Sequence, residues 1–150
     1  AATINIENVT KMYARAINPG RSIWIANIDC FPQLFDMKDN SGNRVYQTVV
    51  PGMPDGMAGM LLGRPLRYVE QCPTLGTVGD IIFGDWEQYK TITKAGGVQS
   101  ATSMHLWFDQ DITAFRLVFR IDGKPWRDST LSPAKGANAR GNFVTVATRA

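Results

Sequence analysis

Residues 61–97 read LLGRPLRYVEQCPTLGTVGDIIFGDWEQYKTITKAGG, and this stretch decides the fold. It contains three short apolar runs, and glycine or proline interrupts the chain around each of them. Such punctuation is typical of consecutive β-strands joined by tight turns. We therefore predict strands at Leu66–Val69, Asp80–Phe83 and Trp86–Thr93, with Pro65 restricted to the first position or the edge of its strand. No catalytic constellation is recognisable in the stretch, so we interpret it as architecture.

The clearest helix is predicted upstream, over residues 5–17. Its apolar residues recur at three- and four-residue spacing and form one stripe: Ile6, Val9, Met12, Tyr13, Ala16 and Ile17. A near-continuous apolar run over Ser22–Ile28, which contains Trp24, predicts a strand buried on both faces. Asp29 is a plausible N-cap for a second helix that tolerates Pro32 in its first turn and directs Phe31, Leu34 and Phe35 inward.

Strands dominate the second half of the sequence. We predict short strands at Val98–Ser103 and Leu106–Phe108 and a last strand at Phe143–Thr148. We also predict a long strand at Ile112–Ile121, followed by an Asp122-Gly123 turn. The long strand alternates between an apolar face with Phe115, Leu117 and Phe119, which we predict to be packed against a core, and a wetter face with Arg116 and Arg120. Thr48–Met60 is rich in Gly, Pro and Met and predicts a long surface loop. Helices early and strands later indicate an α+β fold with a mixed β-sheet flanked by helices.

Composition excludes several classes of protein. The 150 residues (16.6 kDa) suit one domain, and 44% apolar with 19% charged residues is typical of a globular protein. The net charge is +3, but no run of even three Lys or Arg residues occurs, so no nucleic-acid groove is indicated. The lone Cys30 and Cys72 favour buried thiols in a reducing compartment. The sequence has neither an apolar run of membrane-spanning length nor the features of a signal peptide at its N-terminus.

Five motifs in the right order and with fitting spacing resemble the tailed-bacteriophage major capsid protein family. They are IWIANIDCFPQL (23–34), LLGRPLRYVEQCPTLGTVGDIIFGDWEQY (61–89), KAGGVQ (94–99), DITAFRLVFRIDGKP (111–125) and NFVTVATRA (142–150). Each motif alone is unspecific, but five of them in this order and spacing make a specific match to the family. The resemblance implies the Hong Kong phage-type fold, of which this chain is similar to the C-terminal half.

The resemblance also implies a domain division and a function. Residues 1–104 would be the axial-domain core, and 105–150 the peripheral-domain strands, including the returning long strand, and the C-terminal tail, together one compact unit. The chain would be a structural subunit of the pentamers and hexamers of an icosahedral shell, assembled in the bacterial cytoplasm and located in the virion. Its partners would be copies of itself, with other capsid, portal or scaffold proteins. No membrane, cofactor, specific nucleic acid or enzymatic activity is implied.

Some members of that family crosslink their subunits through a Lys, an Asn and a catalytic Glu. The resemblance places Asp111 at the position of the Asn and Val118 at that of the Glu, and we expect the family's N-terminal hairpin loop, which carries the Lys, to be absent from this sequence. The resemblance therefore implies a lattice without isopeptide bonds.

Enzymatic interpretations of the residues are weak. Cys72, His105 and Asp109 could form a thiolate triad, but no helix begins after Cys72 to lower its pKa, and a packed thiol is favoured. Asp80 and Asp85 could form an acid–base pair, but their turn positions favour solvated carboxylates. One His and two scattered Cys supply no metal ligands. We therefore predict no catalytic, cofactor-binding or metal-binding residues.

Three binding interpretations stay open as alternatives. Gly76, Gly79 and Gly84 loosely resemble a phosphate-binding loop, although no helix start follows them. A small β-rich nucleic-acid-binding module is the rival function, in which bases would stack on Trp86, Trp107, Trp126, Tyr46 and Tyr89. Such aromatic residues are more often core or interface anchors. Met53, Met57 and Met60 would form either an adaptable contact surface or a flexible loop without a partner.

Overall fold

The computed structural model describes residues 3–48, 51–52 and 57–149. These residues form two compact units, one built from 1–88 and 127–150 and the other from Tyr89–Trp126. The predicted boundary between residues 104 and 105 falls inside a strand of the second unit, so the observed units are not the predicted segments. The assignment of segments to axial and peripheral domains stays a prediction.

The strands are named in chain order. They are β1 (Ile23–Ala26), β2 (Tyr46–Gln47), β3 (Gly59–Leu61), β4 (Arg64–Tyr68), β5 (Ile81–Gly84), β6 (Tyr89–Thr93), β7 (Gln99–Trp107), β8 (Ile112–Val118), β9 (Ile121–Pro125) and β10 (Phe143–Thr145). The first unit contains a six-stranded sheet in the order β10-β5-β1-β4-β3-β2. β1 pairs with β4 in parallel, and the other pairs are antiparallel. This mixed sheet with two short helices confirms the predicted α+β class.

Trp24 lies at the centre of the first unit. Its side chain is fully buried and stacks on Phe83 of β5, with ring centroids 4.2 Å apart. Its indole Nε1 donates a hydrogen bond to the carbonyl oxygen of Leu61 at 3.0 Å. Tyr13 of the first helix stacks on the same Phe83 ring, so this face of the sheet is the one that the helix covers. The prediction that Trp24 is a core residue is confirmed.

The opposite face of the same strands is less deeply buried. Trp24 and Ala26 are buried, whereas the alternate residues Ile23 and Ile25 are half-buried. The prediction that this strand is buried on both faces was wrong in that respect. A single face of the sheet lies against the aromatic core, so side chains of alternating direction differ in burial.

The predicted first helix is present as α1 (Ile6–Arg15), with Asn5 at its N-cap position and Val9 and Met12 buried. The second helix, α2 (Phe31–Asp36), is only six residues long. Its Leu34 is buried, while Phe31 and Phe35 pack against the core half-buried.

Asp29 was wrongly predicted as the N-cap of α2. A 3₁₀ turn over Ile28–Cys30 precedes the helix, and Asn27 caps that turn: its Oδ1 accepts a hydrogen bond from the Asp29 N–H at 3.0 Å. Asn27 also donates from Nδ2 to the carbonyl oxygen of Cys72 at 2.6 Å. An amide can do both, whereas a carboxylate can only accept.

Several predicted strand bounds need correction in the first unit. Trp86–Gln88 form a 3₁₀ turn, and only Tyr89 onward is a strand. β4 is an interior strand, but its Pro65 lies opposite Met60 of β3, and the pairing with β1 begins one residue later, at Leu66. Proline therefore removes no donor from the β1–β4 ladder.

The predicted loop over Thr48–Met60 is only partly described. Gly59 and Met60 belong to β3, and Met57 is half-buried. Val49, Val50 and 53–56, which include Met53, lie outside the described residues.

The second unit is one long antiparallel hairpin made of two ribbons. β6 pairs with β9, and β7 pairs with β8, while a 3₁₀ turn over Phe108–Gln110 joins β7 to β8. Between the pairs Thr93–Ile121 and Gln99–Val118, one arm has five residues (94–98) and the other two (119–120). The three extra residues fall in the KAGG turn, where Gly96 and Gly97 have φ of +99° and +60°. Glycine adopts such φ values without steric cost.

Three predictions for this hairpin were wrong. The two strands predicted at Val98–Ser103 and Leu106–Phe108 are one strand, β7, with an irregular register between Ser103 and Trp107. The long strand Ile112–Ile121 is divided into β8 and β9, because the partner strand changes at the KAGG turn. Asp122-Gly123 does not form a turn but lies within β9, where the Tyr89 hydroxyl donates to the carbonyl oxygen of Gly123 at 2.9 Å. A Cβ at Gly123 would lie 2.7 Å from the Tyr89 ring, so glycine permits this close crossing.

We expect Trp24→Ala to lower the free energy of unfolding by about 3–5 kcal/mol, because it removes a fully buried indole and leaves a cavity. Chemical denaturation followed by circular dichroism measures the loss. Trp126→Ala is the matched control, since Trp126 is 69% exposed and its removal is expected to cost less than about 0.5 kcal/mol. A loss below about 1 kcal/mol for Trp24→Ala would contradict the core assignment.

Candidate functional site

The residues of the hypothetical thiolate triad have the wrong environments for nucleophilic chemistry. Cys72 is a buried residue of the first unit, and burial raises the pKa of its thiol. His105 and Asp109 are exposed residues of the hairpin unit. Cys30 is also buried, and its pKa is raised to about 12 by desolvation, with a smaller contribution from the nearby Asp80. A thiolate is the reactive form, so both cysteines are structural.

Asp80 and Asp85 were wrongly predicted to be solvated turn carboxylates, because both are buried, at 0% and 1% exposure. The Asp80 carboxylate accepts hydrogen bonds from the N–H groups of Gly76 and Ile81 at 2.9 and 2.8 Å and forms an ion pair with Arg149. Asp85 accepts from the Asn18 side chain at 3.3 Å. A buried carboxylate needs such donors to offset its desolvation.

The Asp80 cluster fixes the end of the described chain. Arg149 contributes its guanidinium to Asp80, and its backbone N–H donates to the carbonyl oxygen of Gly76 at 2.9 Å. Sequence reasoning missed this site because the two charges are 69 positions apart. We call Asp80, Gly76 and Arg149 the C-terminal clamp.

The glycines of the hypothetical phosphate-binding loop have structural roles in and around the segment that leads to Asp80. Gly76 and Gly79 have φ of +98° and +95° in the segment leading to Asp80, and the Gly76 amide is already bonded to that carboxylate. Gly84 is the last residue of β5, and a Cβ there would lie 2.5 Å from the Phe143 ring. The residue after Asp80 begins a strand, so no helix N-terminus is available for an anion.

The described residues contain no group of three or more His, Cys, Asp or Glu side chains that could hold a metal ion. Within the same ranges, no helix has the length and apolar character needed to cross a membrane. A depression of about 610 Å³ lies between the start of α1 and the end of α2, with Glu7, Asp36 and Lys38 in its lining. It brings together none of the candidate catalytic residues.

The five aromatic residues considered for base stacking do not share one environment. Tyr46 is buried in β2 and donates its hydroxyl to the carbonyl oxygen of Ala58 at 2.8 Å. Trp86 packs edge-on against Phe143 of β10, with ring centroids 5.2 Å apart. Trp107, the last residue of β7 before the turn, and Trp126, the last residue of the hairpin unit, are both exposed. The rings of Tyr46 and Trp86 are therefore engaged in contacts within the first unit.

The exposed apolar residues of the chain concentrate on the hairpin. Phe115, Leu117 and Phe119 are 77%, 73% and 53% exposed, so the prediction that they are packed was wrong for the chain by itself. The register explains their exposure: Phe115 lies opposite Thr102 and Leu117 opposite Ser100, and these small side chains cannot cover them. Phe115, Leu117, Ser100 and Thr102 point to the same side of the β7–β8 ribbon, which we call the apolar face.

The positions that correspond to the crosslinking Asn and Glu lie at opposite ends of β8. Asp111 precedes the strand with a left-handed φ of +54°, and Val118 is its last residue. At about 3.3 Å per strand residue they are separated by roughly 20 Å.

Comparison with known proteins agrees with this architecture. A profile described as the phage capsid family matches residues 1–136. The chain belongs to the phage capsid family. A solved structure of similar fold is the capsid of an empty GTA particle computed with C5 symmetry, with a TM-score of 0.54 and 18% sequence identity over 77% of this chain. The match covers 38% of that capsid chain, and at this identity it shows the fold alone. No curated protein matches the sequence.

Membership of the phage capsid family changes what counts as a candidate functional site in this chain. The relevant feature is a surface for contact with other molecules rather than a catalytic cleft. The hairpin Tyr89–Trp126, with its exposed apolar face, is the candidate for such a surface.

We expect Arg149→Ala to destabilise the first unit by roughly 3 kcal/mol, because it leaves the fully buried Asp80 carboxylate without its cation. The two backbone donors that remain on Asp80 keep the loss near the low end for a broken buried pair. Urea denaturation at pH 7 measures it. Arg127→Ala is the control, since Arg127 is exposed and its removal is expected to change stability by less than about 0.5 kcal/mol. Equal effects of the two substitutions would contradict the clamp.

We expect neither cysteine of the folded protein to react rapidly with a disulfide reagent at pH 8, because burial keeps both thiols protonated at that pH. In denaturant both thiols should react quickly, which provides the internal control. Single Cys30→Ser and Cys72→Ser variants separate the two signals. Rapid labelling of Cys72 in the folded protein would contradict its assignment as a packed thiol.

Proposed function

We propose that copies of this chain pack around five- and six-fold axes as pentamers and hexamers of an icosahedral shell. The subunit has a structural role without catalysis, and it assembles in the bacterial cytoplasm with copies of itself as its main partners. Portal and scaffold proteins are further candidate partners.

The observation that carries this proposal is the apolar face of the hairpin. Its residues Phe115 and Leu117 are more than 70% exposed, on a strand whose partner offers only small side chains at the opposing positions. Removing such side chains from water favours association by about 25 cal/mol per Å² of apolar surface, and the lost freedom of the two partners offsets part of this gain. Exposed apolar patches of this kind mark contact sites between proteins.

Contacts between unlike surfaces explain how such a subunit forms closed rings. When one patch of a subunit binds a different patch of the next, the contact repeats by rotation, and a fixed angle closes the ring. In this proposal the hairpin supplies one patch, and the first unit, which is a separate compact unit, supplies the other. Two unlike bodies in one chain suit this head-to-tail arrangement.

The rival function, a base-stacking nucleic-acid module, has less support. It needs several aromatic rings free on one strand surface. Tyr46 is buried, and Trp86 packs on Phe143, so two of the five rings are used within the fold.

We expect the 150-residue chain to be a monomer or weak oligomer in dilute solution and to form rings at high concentration. The interfaces available to it should fall below about 1,200 Å², the weak end of the range. Light scattering across a dilution series, with electron microscopy of the concentrated sample, measures this. Stable shell-sized particles at micromolar concentration would contradict this expectation.

The double variant Phe115→Lys/Leu117→Lys should abolish the rings, because it places charge on the apolar face. Ile28→Lys is the matched control: Ile28 is 60% exposed on the first unit, and its replacement adds a charge without touching the hairpin. Rings that persist in the double variant would remove the apolar face from the proposed interface. Loss of rings in the control alone would relocate the interface to the first unit.

A further inference from the structure

Cations that are scattered in the sequence meet on one face of the β6–β9 ribbon. Lys90 lies directly opposite Lys124 in the register. Lys94, just beyond the end of β6, donates its backbone N–H to the carbonyl oxygen of Arg120 at 3.1 Å, which continues the same register and places these two residues opposite each other. Side chains two positions apart share a strand face, so all four cations point to one side. We call Lys90, Lys94, Arg120 and Lys124 the basic face.

The arrangement opposes like charges across the ribbon. Directly opposed like charges destabilise a strand pair, whereas opposite charges stabilise it. All four side chains of the basic face are exposed. The opposed cations Lys94 and Arg120 therefore favour an anion outside the ribbon that is shared between the strands.

One acidic residue shares this face, and it has a local role. Asp122 lies opposite Ile92, and its Oδ1 accepts a hydrogen bond from the N–H of Gly123 at 2.8 Å. Lys94 and Arg120 line a shallow depression of about 280 Å³ together with Ile92 and Asp122. The depression is open to solvent, so it does not enclose one particular side chain.

We propose that the basic face binds the phosphate backbone of double-stranded DNA without sequence preference. Lys and Arg side chains on an exposed strand face bind phosphate oxygens, and such contacts carry no sequence information directly. This inference rests on the proposed function, since a shell subunit presents one of its surfaces to the shell's contents.

An acidic protein segment is the competing occupant, and the geometry favours DNA over it. Recognition of one protein partner relies on a few buried aromatic or aliphatic anchors surrounded by a polar rim. Between its two cationic pairs the basic face has one apolar side chain that could act as an anchor, Ile92, which lies opposite Asp122. Ile92 is 71% exposed. Lysine ammonium groups act as point charges that tolerate many registers, which suits a uniform row of phosphates.

The test measures binding of a fluorescent 30-base-pair duplex to the 150-residue chain by anisotropy, between 50 and 200 mM salt. Four phosphate contacts give a slope of log K against log salt of about −3.6, so the affinity should fall about a hundredfold over this range. Lys94→Gln/Arg120→Gln should reduce the magnitude of the slope by about two and leave a loss of roughly tenfold. Lys38→Gln/Lys135→Gln is the control, because it removes the same charge from exposed positions of the first unit.

Each outcome decides the proposal. A smaller slope in the face variant alone supports the assignment. Equal slopes in both double variants would assign the binding to net charge and overturn it, as would an unchanged slope in the face variant. Polyglutamate that displaces the duplex at an equal concentration of charges would assign the face to an acidic protein segment and overturn the DNA proposal. Ring formation is measured separately, so rings without DNA binding would refute this inference and leave the proposed function standing.

Discussion

The first unit depends on one buried side chain, the indole of Trp24. From β1 it stacks on Phe83 of β5 and donates a hydrogen bond to Leu61 of β3, so it contacts strands on both sides of its own in the sheet order. The Phe83 ring stacks in turn with Tyr13 of α1. Because the indole N–H needs an acceptor once it is buried, its position also fixes where β3 lies relative to β1. A smaller residue would loosen the helix and three strands together.

The end of the chain is tied into the same sheet. β10 pairs with β5, and Arg149 then joins the turn that precedes β5 through Asp80 and Gly76. The hairpin Tyr89–Trp126 is therefore an insertion between two segments of the first unit. The segment after the insertion adds β10 to the sheet that the segment before it forms. This connectivity lets the insertion change in sequence or length while the sheet keeps its core.

Local sequence patterns were enough to predict the helices and strands. They could not predict features that depend on contacts between residues far apart in the sequence. The stripe of α1 and the burial of Trp24 followed from periodicity and side-chain type, which act over a few residues. The burial of Asp80 could not be predicted that way, because its cation comes from a residue 69 positions away. The 3₁₀ turn that precedes α2 was also not predictable locally, because its cap Asn27 is held by a hydrogen bond to the carbonyl oxygen of Cys72, which only the folded chain supplies.

For the candidate site, alternation indicated two different faces on the strand 112–121 but not whether anything covers the apolar one. Phe115 and Leu117 were predicted correctly as one face and wrongly as packed, because the partner strand supplies only Thr102 and Ser100 at the opposing positions. Resemblance to a family added the architecture, and the profile match confirms that family.

Local sequence patterns also failed to predict the basic face, because its cations come from different parts of the sequence. A search for runs of Lys and Arg assumes that neighbouring charges are neighbours in sequence, which holds for a basic arm or a single helix. In a long antiparallel hairpin, residues more than thirty positions apart, such as Lys90 and Lys124, lie directly opposite each other. The test for a nucleic-acid surface in a β-rich chain therefore has to be applied to the register. One hairpin then carries an apolar face on the β7–β8 ribbon and a basic face on the β6–β9 ribbon, so the two proposed contacts use different side chains.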